Sequence, residues 1–367
     1  MNTENPKLLI TFVTLFLVAC SSGGSNTVIT TPQESNDELT DVVTDEPTDS
    51  SDESNLIAVD GNSLATIGCQ NVVIIDTFAY AACGNGIEIV NLNSLERSFL
   101  PQPADDISGD AELGLIFTQS GNTLQQFDLA NPMQPNLINT ANTNFALSSG
   151  VSSANGILVI SAGSTDSDTQ VYTYDNTTLS LAIAGIPEVD GRTGNPDVHV
   201  AAAPDGAIAF YSQDLGFVAN WGIQIVEFDI TATITDVPDV VVLTPGQFTG
   251  SFGFPIGPAN FPLQSEFLDD RLYIAHFAAN GIQIIDRLED NAISLIPLGY
   301  EPTNITSDGI ELVVVAVNRN IVDIINPITE TVVNSISLPL QQPTGIAASS
   351  THIAVADRTA GLIIATR

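Results

Sequence analysis

The chain has 367 residues, with 43 carboxylates against 8 basic side chains, a formal net charge of -35, and Lys7 as its only lysine. So acidic a surface repels phosphate backbones and anionic head groups, which excludes nucleic acid as a partner. The missing lysine removes Ser-Lys and Schiff-base chemistry from any chain that begins after Lys7, and the sequence contains neither a paired-cysteine nor an HExxH metal motif.

At the start of the chain, Lys7 supplies a sparse positive region and residues 8–18 form an apolar run too short to span a bilayer. Ala19-Cys20 follows, and then Ser21-Ser22-Gly23-Gly24. This order resembles the export signal of bacterial lipoproteins. The resemblance implies removal of residues 1–19, a diacylglyceryl group on the Cys20 sulfur and acylation of the new amino terminus. Several acyl chains together anchor stably where one would bind only marginally. A serine after the cysteine fits outer-membrane sorting in that family, so the implied address is an outer-membrane lipoprotein on the periplasmic or cell-surface side. The membrane is then a partner through the lipid anchor.

Residues 20–54 carry Ser, Thr, Asn, Asp, Glu and Pro with few large apolar side chains, and predict an acidic disordered tether. Its carboxylates, Glu34 to Glu53, repel one another and extend a chain whose ordinary end-to-end distance is about 30 Å. The run lacks the glycine turn and spaced ligands of a calcium loop. Dense carboxylates still attract divalent cations, so Ca2+ is the one cofactor that the charge admits.

From residue 55 to 367 a unit recurs: a short apolar strand, a small-residue turn, a second strand, then Asp or Asn. The clearest copies run from Phe78 to Asn91, from Leu272 to Asp286 and from His352 to Thr366. Weaker ones centre on residues 124–128, 171–175, 223–227 and 322–326. The last three copies are 40 residues apart, at Gly281, Ile321 and Gly361, which suits a β-propeller blade of four short strands. Ala-rich stretches such as Val200 to Ala203 predict inner strands crowded at a central channel. Pro101, Pro302 and Pro343 are expected in the connections that drop to the next inner strand. Asn55 to Asp60 is placed to supply the outer strand that the last copy lacks, closing the ring and removing an exposed edge.

Tyr80-Ala81 with Gly86 to Asn91, and Tyr273-Ile274-Ala275 with Gly281 to Asp286, resemble the LVIVP-type propeller repeats of bacterial lipoproteins. The expected fold is therefore all-β, a β-propeller of seven four-stranded blades closed by an N-terminal strand, with six or eight blades as alternatives.

Cys69 and Cys83 flank two strands that meet near Asp76 and Thr77, so the hairpin brings them opposite one another. A disulfide there is worth about 3 kcal/mol in loop entropy; the alternative is two small buried thiols. The Asp or Asn after each third strand is expected to bond nearby backbone as turn chemistry rather than to form a ring of ligands.

Residues 187–199, 212–221 and 247–262 are the longest departures from the repeat. They hold Trp221, Phe217, Phe248, Phe252, Phe254 and Phe261, together with Asp190, Arg192 and His199. Aromatic loops on a rigid scaffold suit recognition of an envelope or extracellular protein or a saccharide; the alternative is that they pack the insertion onto the rim. No catalytic residue is expected. The competing reading is a hydrolase or lyase with a divalent metal in the central channel, on Asp110, Glu266 and Asn304.

Overall fold

Short runs of β-branched and aromatic residues, cut at close intervals by Asp, Asn or Gly, satisfy their backbone by pairing with the next run. The chain accordingly folds into successive antiparallel meanders. The computed structural model describes residues 68–143, 148–162, 170–183, 200–203, 207–214, 220–227, 241–242, 264–276, 280–289, 292–316 and 319–367. All belong to the second of two units, Asp52–Arg367. Cys20, the signal, the tether and the strand expected at residues 55–60 lie outside them.

The first sheet is β1 (Asn71–Ile75), β2 (Phe78–Ala82), β3 (Ile87–Asn91) and β4 (Arg97–Leu100), and the second is β5 (Asp106–Asp110), β6 (Leu115–Ser120), β7 (Thr123–Asp128) and β8 (Asn136–Asn142). The third comprises β9 (Ser148–Ala154), β10 (Ile157–Ala162), β11 (Gln170–Tyr174) and β12 (Leu179–Ile183). The fourth comprises β13 (Val200–Ala202), β14 (Ala207–Asp214), β15 (Asn220–Glu227) and β16 (Val241–Val242). The fifth is β17 (Ser265–Leu268), β18 (Arg271–His276), β19 (Gly281–Asp286) and β20 (Ala292–Pro297), and the sixth is β21 (Asn304–Ser307), β22 (Leu312–Val315), β23 (Ile321–Asn326) and β24 (Thr331–Ser337). The seventh has three strands among the described residues: β25 (Pro343–Ala348), β26 (His352–Asp357) and β27 (Gly361–Thr366).

First strands of consecutive sheets lie side by side, β1 with β5, β5 with β9 and onward to β25, and β25 lies against β1. The core is divided among the spaces between sheets. Ile107, Ile116 and Phe127 meet Tyr80 and Ile89 between the first and second, and Val313 and Val322 meet Ile353 and Val355 between the sixth and seventh. Burial falls outward: β22 is buried throughout, whereas β8 and β24 are mostly exposed.

The Asx positions act as the sequence predicts. Asn91 Oδ1 accepts from the backbone N–H of Asn93 and Ser94, Asp175 from Thr177 and Thr178, and Asn326 from Ile328 and Thr329. Each side chain satisfies the backbone of the turn into the fourth strand.

Three local expectations change. Pro343 opens β25 instead of ending the connection before it, because the first residue of a strand can lack an N–H without breaking the ladder. The apolar run Ile336 to Leu340 reads as the outer strand of the sixth sheet, but that strand starts at Thr331, since Asn326 completes its turn within a few residues. Ser212 to Asp214 and Asn220 to Trp221, read as loop, are paired strand at the ends of β14 and β15.

Candidate functional site

The inner strand of each sheet has one edge without a ladder partner, facing the inner strands of its neighbours, and its backbone groups need another source of hydrogen bonds. Polar side chains near the starts of these strands supply it. Asn71 Nδ2 donates to Asp106 Oδ1 at 2.7 Å and to the Ile107 carbonyl at 3.3 Å. Asp106 Oδ2 accepts from the Val151 N–H at 2.8 Å. Ser152 Oγ accepts from the Ala202 N–H, Gln264 Oε1 from the Ile305 N–H, Asn304 Nδ2 donates to the Thr344 carbonyl, and Thr344 Oγ1 donates to the Cys69 carbonyl. Sheet is thus tied to sheet by a side chain on one and a backbone group on the next.

Two carboxylates in this inner zone are strongly perturbed. Burial pushes Asp106 up to about 6, against the lowering effect of the Asn71 amide and of the Ile107 and Val151 N–H groups. Glu266, on β17, is pushed up to about 8 by burial, and among the described residues no donor reaches it to offset that cost. Glu266 therefore holds its proton at neutral pH.

Asp110, Glu266 and Asn304 do not form one ligand set. Asp110 ends β5, where its carboxylate takes the Tyr174 hydroxyl at 2.7 Å and the Leu113 N–H at 3.0 Å. Asn304 opens β21, the other end of a strand that runs the same way. His276 ends β18 and His352 opens β26, so equivalent strands carry them at opposite ends. Among the described residues only Cys69, Cys83 and Glu88 bring three ligating groups together. There the sulfurs are bonded to one another, as the hairpin predicts, and Glu88 pairs with Arg97. Oxidised, this group is a buried fastening of β1, β2 and β3 rather than a metal site.

On the face where second strands turn into third strands, one hairpin differs from the rest. Among the described residues β14 and β15 pair over eight rungs, from Ala207↔Glu227 to Asp214↔Asn220, against four to six in the equivalent hairpins of the other sheets. The extra length at the Asp214↔Asn220 end is an overhang relative to those hairpins, and Trp221, opposite Gln213, belongs to it. Phe217, Phe248, Phe252, Phe254, Phe261, Asp190, Arg192 and His199 lie outside the described residues.

Sequence reasoning missed Asp106, Gln264, Ser152 and Thr344 as ties between sheets. A signal was present at several: Pro302-Thr303-Asn304, Pro343-Thr344 and Pro262-Leu263-Gln264 each set a polar side chain one or two positions after a proline.

No family model and no curated protein matches the chain. Among solved structures, a chain of Kuenenia stuttgartiensis hydrazine synthase is similar at a TM-score of 0.59 and 10% identity, over 82% of this chain and 96% of that one. A chain from the crystal structure of the mitotic checkpoint complex is similar at a TM-score of 0.60 and 13% identity, over 93% and 99%. At such identities the likeness carries the fold alone: the chain is all-β, built of four-stranded antiparallel sheets, and β-propeller-like.

Proposed function

We propose that the chain is a lipid-anchored β-propeller of seven blades that serves as a non-enzymatic binding or scaffold module of the bacterial cell envelope. The seven sheets and the contact of β25 with β1 support the blade count. Closure by the segment Asn55 to Asp60 is supported by β27, whose residues 361–365 are buried like those of a third strand although no fourth strand follows it among the described residues. Deleting residues 55–60 is expected to lower the melting temperature; an unchanged melt would remove the closing strand. The Cys20 junction supports the anchor, and Cys20→Ser should abolish incorporation of labelled palmitate and release the protein from membranes.

The observation that carries the binding reading is the β14–β15 overhang, a hairpin of eight rungs, longer than its equivalents among the described residues, with Trp221 near its end. Its partner is a protein or a saccharide of the envelope or the exterior. The test compares the intact lipoprotein with a variant in which Tyr211 and Ile223 are joined by a two-residue turn, using glycan arrays and capture from native membranes. A ligand bound by the first and lost by the folded second supports the reading; identical binding by both overturns it.

The hydrolase or lyase reading rests on one observation, the unpaired Glu266 carboxylate in the inner zone. Calorimetric titration with Ca2+, Mn2+ and Zn2+ tests it. Stoichiometric binding lost in Glu266→Gln would favour it.

A further inference from the structure

In an antiparallel meander successive turns alternate between the two ends of the sheet. The turns from first to second and from third to fourth strands therefore share the face opposite the β14–β15 overhang. On that face three large apolar side chains stand in water: Leu288 is 76% exposed, Ile310 73% and Ile328 88%. Each crowns an Asx turn. The Leu288 N–H donates to Asp286 Oδ1 at 3.1 Å, the Ile310 N–H to Asp308 Oδ1 at 2.8 Å, and the Ile328 N–H to Asn326 Oδ1 at 2.9 Å. Two of these anchors are themselves held, Asp286 by Arg271 at 2.8 Å and Asp308 by Arg367. The apolar side chains are thus presented on pinned backbone.

The turn itself does not ask for them. In the first three sheets the residue in the same hydrogen bond, two after the Asx, is Asn93, Ala130 or Thr177. Among the described residues only the adjacent fifth and sixth sheets put a large aliphatic group there. Val332 and Val333, 44% and 51% exposed, add apolar area on the strand that follows Ile328.

The turns of the fifth and sixth sheets on this face carry the exposed carboxylates Asp269, Asp270, Glu289 and Glu330, none of them in an ion pair among the described residues. Those of the two sheets converge: the Tyr273 hydroxyl is raised first by burial, and Asp269 and Glu330 both add to the effect. An apolar surface set among unpaired carboxylates is complementary to apolar groups set among cations. It opposes an anionic lipid surface.

We propose that Leu288, Ile310 and Ile328 form a docking surface for a protein partner that presents a cationic amphipathic segment. The three crowns enter its apolar side and the carboxylates meet its basic rim. This surface is separate from the overhang, and either can exist without the other.

The test uses the chain from residue 20 onward and a synthetic amphipathic helical peptide of leucine and lysine as the probe, with phosphatidylcholine vesicles in parallel. The peptide is expected to bind with hydrogen-exchange protection centred on the turns of Leu288, Ile310 and Ile328. Affinity should fall about tenfold or more in Leu288→Ser/Ile310→Ser/Ile328→Ser, which leaves the charge unchanged. It should also fall in Glu289→Gln/Glu330→Gln and at high salt. If the triple variant loses its cooperative melt, Ile328→Ser alone is read in its place. Peptide affinity unchanged by the serine substitutions overturns the proposal. So does a result in which those substitutions abolish vesicle binding but not peptide binding, which would make the surface a lipid contact.

Discussion

The joint between the sixth and seventh sheets and the joint between the seventh and the first are filled with different side chains. The former is packed with large branched aliphatics, among them Val313, Ile324, Leu338, Ile346, Ile353 and Val355. The latter mixes small ones, Ala79, Ala81, Ala347, Ala354 and Ala356 beside the bonded Cys69 and Cys83, with Val72, Val90, Leu92, Leu362 and Ile364. Backbones approach more closely there. A Cβ on Gly345 would lie 2.5 Å from Asn71 Oδ1 and 2.7 Å from Asn71 Cα, and one on Gly68 would meet the Arg358 carbonyl oxygen at 1.5 Å. Directional ties add to this packing: Thr344 Oγ1 to the Cys69 carbonyl at 2.8 Å, the Cys69 N–H to the Asp357 carbonyl at 3.2 Å, and Arg358 Nη2 to Gln70 Oε1 at 2.9 Å. The sixth and seventh sheets are joined by a short connection, so bringing them together costs little loop entropy, and the Asn304 tie to the Thr344 carbonyl and the pairing of Arg367 with Asp308 and Glu311 add to a joint already filled by burial. The other joint unites residues 275 positions apart. Close backbone contact and hydrogen bonds with one allowed geometry select the right pairing of sheets there.

The largest effect is expected at the joint between the seventh and first sheets. Cys69→Ser/Cys83→Ser should lower stability by about 4 kcal/mol, about 3 of it loop entropy and the rest buried hydroxyls, and thiol reduction of the native protein should reproduce most of the loss. A loss of about 1 kcal/mol or less would mean that the packed side chains hold this joint unaided. At the aliphatic joint, Ile353→Ala leaves a cavity and should cost about 3 kcal/mol in denaturant unfolding. Gly345→Ala adds a single carbon at the joint between the seventh and first sheets and should cost about 2 kcal/mol by overpacking. The contrast fails if Gly345→Ala is neutral.

Glu266 lies away from both joints and separates their contribution from that of the inner edges. Its pKa rises from an ordinary 4.5 to about 8 in the folded protein, so the folded state binds this proton more tightly than the unfolded chain does. Its contribution to stability is complete below about pH 4.5 and is lost as pH climbs to about 8. Glu266→Gln should match the native protein near pH 4 and exceed it by about 2 kcal/mol at pH 8, roughly half of what a fully buried carboxyl would give because Glu266 is partly exposed, while the cysteine variant keeps the native slope. Asp106, raised to about 6, leaves a smaller decline below that pH in both. The smallest effect is expected from Arg358→Gln, where an exposed hydrogen bond is lost and stability should change by under about 1 kcal/mol.

Much of this fold is legible locally. Asp76 and Thr77 turn one strand into the next, Asn91 and Asp175 cap the turn into a fourth strand, and the hairpin spacing of Cys69 and Cys83 predicts their bond, because each feature joins residues close in sequence. The candidate sites were less so. Trp221 reads as a loop residue, but it stands on strand because β14 and β15 pair on to Asp214↔Asn220. Leu288 and Ile328 read as ordinary apolar residues of a strand-rich repeat; their exposure follows from the Asx bond that turns the backbone beneath them.

The sequence by itself determined the alternation of strand and turn, the order of strands within each sheet and the excess of negative charge, since these depend on neighbours and on composition. Only the tertiary structure decided that Asp106 serves Val151, that Thr344 reaches Cys69, and that Glu266 keeps its proton. Those outcomes depend on which unpaired strand edges meet, and a backbone group gives no sign in sequence of the distant side chain that will satisfy it.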